Sequence, residues 1–66
     1  MGIWKIEACR DTERIACKWG YVVAETEVEA ITAGHATAGL PFIWVHKMRN
    51  GMIWPGPPEQ NLFWLS

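Results

Sequence analysis

Tryptophan constrains this chain more than any other feature: five of its 66 residues, at positions 4, 19, 44, 54 and 64, carry an indole. An aromatic side chain covers ~150–250 Å² when enclosed. A chain this short hides only about 60% of the surface its unfolded form exposes. The length therefore permits one domain, residues 1–66, and one core. A single helix cannot cover Trp4, Trp19, Trp44, Trp54, Phe42, Tyr21 and Ile53 together. Two outcomes follow. Either the C-terminal tail closes a second face and makes a two-sided core, or part of the aromatic set stays exposed as a binding surface.

Hydrophobic residues make up 50% of the chain, which argues against disorder. A net charge of −1 argues against a dedicated nucleic-acid binder, which normally carries a basic excess. No apolar run approaches the ~20 residues of a membrane helix. The opening Met-Gly-Ile-Trp-Lys lacks a signal-peptide layout, so the expected location is the cytosol, cytoplasmic in the host.

Residues 3–10 alternate, with Trp4, Ile6 and Ala8 on one face and Ile3, Lys5, Glu7 and Cys9 on the other. A period of two specifies a strand. Residues 14–24 alternate again, with Ile15, Cys17, Trp19, Tyr21 and Val23 on one face and Arg14, Lys18, Gly20 and Val22 on the reverse. A two-residue turn at Thr12-Glu13 sets Ala8 opposite Cys17, Ile6 opposite Trp19 and Trp4 opposite Tyr21. It also pairs Glu7 with Lys18. A slip by one residue sets Ile6 opposite Gly20 and Glu7 opposite Trp19, so the first register is favoured. Thr-Glu is poor chemistry for a primed turn, which leaves a longer loop open.

Thr26-Glu27-Val28-Glu29 reads as a capping box opening a helix over 27–38. Val28, Ile31, Thr32 and His35 share one helical face, Gly39 is the C-cap and Pro41 stops continuation. Gly34 inside the helix implies close approach to a bulky sheet residue such as a Trp. Residues 42–48 read as a third strand. Asn50-Gly51 signals a hairpin that returns through Met52-Ile53-Trp54 as a short fourth strand, ended by Pro55-Gly56-Pro57-Pro58. The apolar tail, residues 61–66, packs on the sheet or adds a fifth strand. The expected fold is α+β: a four-stranded antiparallel sheet in β-β-α-β-β order, one helix on one face and an apolar C-terminal tail.

The residues offer little chemistry. Cys9, Cys17, His35 and His46 do not have zinc-ligand spacing, so neither a metal nor any other cofactor is expected. In the favoured register the cysteines point to opposite faces. A disulfide requires the other register, and a reducing cytosol also opposes it. The only serine is Ser66, no third group orients a Cys-His pair, and no glycine-rich phosphate loop exists, so the chain reads as a non-enzyme. Arg10 and Arg14 flank the first hairpin and Lys47 and Arg49 the second. With six basic residues in all, direct nucleic-acid binding is not expected beyond a weak, salt-sensitive contact.

The run Val23-Ala24-Glu25-Thr26 into Glu29-Ala30-Ile31, and Asn50-Gly51 followed by an aliphatic residue and Trp54, resemble small anti-CRISPR proteins of phages and mobile elements. The layout looks like that of a type I-F inhibitor. The resemblance implies a stoichiometric inhibitor that binds a type I CRISPR effector complex such as Cascade and blocks target-DNA recognition or nuclease recruitment. The candidate partner-binding residues are Trp44, Trp54 and Trp64 as anchors and Lys47 and Arg49 as rim charges. Glu25, Glu27 and Glu29 are an acidic alternative suited to a basic surface, although helix capping also accounts for them. The competing reading is a self-associating interaction domain, as monomer or homodimer, closed through its aromatic face or an edge strand.

Overall fold

A computed structural model describes residues 2–65; Met1 and Ser66, the sequence's only serine, lie outside the described residues. The elements run β1 (Gly2–Cys9), β2 (Cys17–Ala24), α1 (Glu27–Ala38), β3 (Phe42–Lys47) and β4 (Leu62–Trp64). The strands form one antiparallel sheet in the order β3-β1-β2-β4, with α1 packed on one face. This is the expected α+β architecture with four strands and one helix, and residues 27–38 form the helix. Thr26 is the N-cap: its Oγ1 accepts from the Glu29 amide at 3.2 Å. Glu29 reaches back one residue further than the capping box predicts, its Oε2 accepting from the Glu25 amide at 2.9 Å. Gly39, in the left-handed region, closes the C-terminus.

The β1–β2 register corrects the expectation. Ile6 lies opposite Gly20, Trp4 opposite Val22, Glu7 opposite Trp19 and Cys9 opposite Cys17. This is the one-residue slip that the pairing argument disfavours. The expected register maximises apolar contact between two strands, but the helix above them sets a different requirement. Under the helix, β2 contributes Gly20, Val22 and Ala24, all buried and all small. They make room for Trp4 and Ile6 from β1 and for the approach of α1. Trp19 and Tyr21 in that position would hold the helix off the sheet.

Trp4 is the centre of the core. It is 8% exposed, and its Nε1–H donates to the Ala24 carbonyl at 3.0 Å, so the indole's one polar group is satisfied. Enclosing that much aromatic surface contributes roughly 4–6 kcal/mol as an upper bound, at about 25 cal/mol per Å². Ile6, Val22, Ala24 and Ala30 complete the buried cluster, with Ala33, Val45, Leu62 and Trp64 packed around it.

The helix presents a different face from the one expected. Ala30 and Gly34 are buried and Ala33 packs on the core, while Val28, Thr32 and His35 are exposed and Ile31 is half-buried. The sheet supplies the bulk, so the helix must supply small residues. Gly34 obeys this logic, though its neighbour is aliphatic: a Cβ there would stand 3.0 Å from Cγ2 of Ile43 rather than against a Trp.

The second hairpin also differs. The Asn50-Gly51 turn forms, with the Met52 amide donating to the Arg49 carbonyl at 3.4 Å, but residues 52–54 are not a strand. Pro55, Pro57 and Pro58 have no amide to donate, and a three-residue return ending in proline cannot build a ladder. The chain instead crosses the Gly2/Ala24 end of the sheet and re-enters as β4 on the free edge of β2. Backbone bonds from Met48 to Ile3 at 2.9 Å and from Val23 to Asn61 at 2.8 Å pin the two ends of this crossing. The apolar tail is therefore the fourth strand, not a fifth.

β4 seats only because position 20 is glycine. A Cβ on Gly20 would lie 2.0 Å from the Phe63 carbonyl oxygen and 2.9 Å from the Trp64 Cα, both backbone atoms that cannot step aside. Gly20→Ala is predicted to push β4 off the sheet at a cost of about 1–3 kcal/mol. Thermal denaturation should show the loss, and the Leu65 amide, which donates to the Trp19 carbonyl, should lose its exchange protection. Unchanged Leu65 protection would contradict the close fit.

Candidate functional site

The register decides what lies on the sheet face that α1 leaves open. Two rows cross it. Trp44, Glu7 and Trp19 are direct partners across β3, β1 and β2. His46, Lys5, Tyr21 and Phe63 are direct partners across all four strands. Phe42 stands one step further along β3 and stacks on Trp44 with ring centroids 6.2 Å apart. Trp19, Tyr21, Phe63 and Trp54 form a continuous chain of rings at 5.8, 5.9 and 5.4 Å. These are edge-to-face or tilted contacts of the kind aromatic rings favour.

β1 places charge between the two aromatic groups. Lys5 Nζ stands 5.2 Å from the Trp19 ring centre, and the Arg14 guanidinium lies 4.4 Å from that of Trp44. Arg14 comes from the connection between β1 and β2, where its φ of 60° lies in the left-handed region that non-glycine residues seldom adopt. From there its Nε–H donates to Glu7 Oε1 at 2.8 Å, and its terminal nitrogen contacts the same oxygen. A carboxylate set in an aromatic row needs such a partner. Each cation over an exposed ring adds about 0.5–1 kcal/mol. The result is a cleft of about 430 Å³ lined by Lys5, Glu7, Arg14, Trp44, Val45 and His46.

The candidate residues do not make one surface. Trp44 lies on the open face. Trp54 reaches that side through Phe63, and its Nε1–H donates to the Pro57 carbonyl at 3.0 Å. Trp64 sits on the helix side, where its Nε1–H donates to Thr37 Oγ1 at 3.2 Å and Lys18 Nζ stands 4.9 Å from its ring centre. Lys47 also lies on the helix side, 5.9 Å from the Trp4 ring centre. Arg49 lines a second cleft of about 280 Å³ with Ile3, Val23, Met48 and Trp54. Glu25, Glu27 and Glu29 cluster at the helix start, where Glu29 is engaged in the cap.

Sequence reasoning missed Trp19, Tyr21, Phe63, Lys5 and Arg14 as members of this face. A signal was available: Cys9 and Cys17 lie on the face-sharing positions of the shifted register, and there they form a disulfide with Cα atoms 4.2 Å apart. That corrects the expectation that the cysteines point apart. Glu7, Cys9 and Cys17 bring ligand atoms within 4.8 Å of one another. Joined as a disulfide, the sulfurs are not thiolate ligands, and Arg14 already occupies the carboxylate.

No protein-family model, no curated protein and no solved structure matches this chain.

The geometry separates structural from surface indoles. Trp64→Ala is predicted to cost about 2 kcal/mol or more, because it opens a void beside the core and removes the indole's bond to Thr37. Trp19→Ala, at a ring 36% exposed and outside the core, should cost less than Trp64→Ala. Urea denaturation of the two variants checks the ranking; equal losses would contradict the assignment of faces.

Proposed function

We propose that the protein acts by binding rather than by chemistry, and that the open face of the sheet is its docking surface for another protein. The observation that carries this reading is the grouping of Trp44, Trp19, Tyr21 and Phe42 with Lys5 on the sheet face opposite α1, which no described helix or strand covers. Tryptophan, tyrosine and arginine are the residues that dominate binding energy at protein interfaces. They hold area without many rotamers to freeze, and here the Lys5 contact fixes Trp19 in advance.

The resemblance in size and element order to type I anti-CRISPR inhibitors makes a CRISPR effector complex the partner of choice under this proposal, with target-DNA recognition or nuclease recruitment as the step blocked. A stoichiometric inhibitor needs only a rigid, aromatic contact surface and no catalytic group. The β-β-α-β-β order supports the comparison once β4 is taken at Leu62–Trp64. Among the described residues, no helix is long and apolar enough to cross a membrane. In this reading the protein works in the host cytosol, a reducing compartment in which the Cys9–Cys17 bridge is exposed to reduction.

Purified protein should co-elute with a type I effector complex at micromolar concentration. Trp44→Ala and Trp19→Ala should each weaken that association by about 30-fold, the effect of losing a hot-spot residue worth about 2 kcal/mol. Reversing Glu25 and Glu27 to lysine should leave it unchanged. Loss of binding in the glutamate variant alone would move the contact surface to the helix start. Sedimentation of the free chain as a stable dimer that Trp44→Ala dissolves would favour self-association instead.

A further inference from the structure

The Cys9–Cys17 bridge closes residues 10–16 into a loop whose residues are all exposed, Ile15 most plainly at 78%. This loop has no apolar anchor. Besides the bridge, its ties are an Asp11 side chain accepting from the Glu13 amide at 3.0 Å and the contacts of Arg14 with Glu7 and Trp44. Arg14 holds a left-handed backbone to make those contacts. The bridge therefore stands directly above the docking face: Cys9 and Cys17 share that face with Glu7, Trp44 and Trp19.

We propose that this disulfide is a redox switch for the Trp44 cleft, an inference that rests on the open face being the docking surface. In the oxidised chain the closed loop holds Arg14 over Trp44 and against Glu7, and that ring face in the cleft is covered. Reduction by a dithiol opens it. A thiolate of the dithiol attacks Sγ of Cys17, the half-buried partner, because Cys9 is fully buried. Cys9 leaves as a thiolate. The second thiol of the reductant, as thiolate, then displaces Cys17 from the mixed disulfide. Two electrons pass to the protein, Cys9 and Cys17 each take up a proton, and the reductant ends as its own disulfide.

Two unbonded sulfurs need more room than a bonded pair. With Cys9 held in the ladder between Cys17 and Phe42, the displacement falls on Cys17 and the loop. Arg14, no longer held by a closed ring, relaxes to negative φ and withdraws. Trp44 then offers a bare ring face beside a Glu7 without its counterion. The fold itself persists, because the β1–β2 ladder runs seven pairs beyond the cysteines, from Gly2↔Ala24 to Ala8↔Lys18, and the core around Trp4 and Ile6 uses neither sulfur.

The test uses the full chain, oxidised and after treatment with dithiothreitol, with no partner present, so that it stands apart from any failure of docking. Side-chain NMR should show the Arg14 Hδ and Hε signals losing their ring-current shift from Trp44 on reduction. Acrylamide quenching of tryptophan fluorescence should rise, and the rise should vanish in Trp44→Phe. Oxidised Arg14→Ala should already quench at the raised level and change no further with dithiothreitol. Cys17→Ser should match the reduced chain without any reductant. Identical Arg14 shifts and quenching in both states would make the bridge a passive staple and overturn the switch. Collapse of amide dispersion on reduction and in Cys17→Ser would overturn it equally, since no folded open form would exist.

Discussion

The pairing of β1 with β2, Ile6 against Gly20 and Cys9 against Cys17, is the constraint on which the rest of this structure depends. It sorts the side chains of two alternating strands onto two faces. Under the helix it gathers one indole, one isoleucine and a set of small residues. On the other side it leaves Trp19, Tyr21 and Glu7 in line with Trp44, Lys5 and Phe63. A shift of one position would turn every β2 side chain over and bury the aromatic stripe. Helix seating, the disulfide and the open aromatic face are three consequences of one alignment.

Much of the architecture is legible in the residues because it rests on local chemistry. The Thr26 cap, the Gly39 stop, the period-two runs of β1 and β2 and the β-rich composition of β3 each depend on neighbours in sequence. What is not legible depends on a third body. The register follows from what α1 tolerates beneath it, and two-strand pairing cannot see that. The helix face inverts for the same reason: Ala30, Ala33 and Gly34 look inert until Trp4 and Ile43 stand opposite them. Residues 52–54 resemble a strand in composition, but prolines beyond them remove the donors a ladder requires, and the pairing passes to Leu62–Trp64.

The surplus of indole over available interior divides in an informative way. Trp4 is enclosed, Trp64 of β4 packs against the helix, and Trp19, Trp44 and Trp54 line the other side. Four of the six basic side chains stand over an indole. On the open face the Lys5–Trp19 contact orders one ring before any partner arrives, which lowers the entropy lost on docking. The placing of cations over rings also explains why a chain of net charge −1 can show a partly cationic face: the carboxylates of Glu25, Glu27 and Glu29 sit at the helix start, while Lys5 and Arg14 lie among the rings.

The alignment of β1 with β2 is measured most directly by side-chain NOEs across the sheet. This alignment gives cross-peaks from Glu7 to both Trp19 and Trp44, from Lys5 to Tyr21, and from Trp4 to the helix methyl of Ala30. Cross-peaks joining Ile6 to Trp19 and Trp4 to Tyr21 would contradict it, and the open aromatic face would disappear with them.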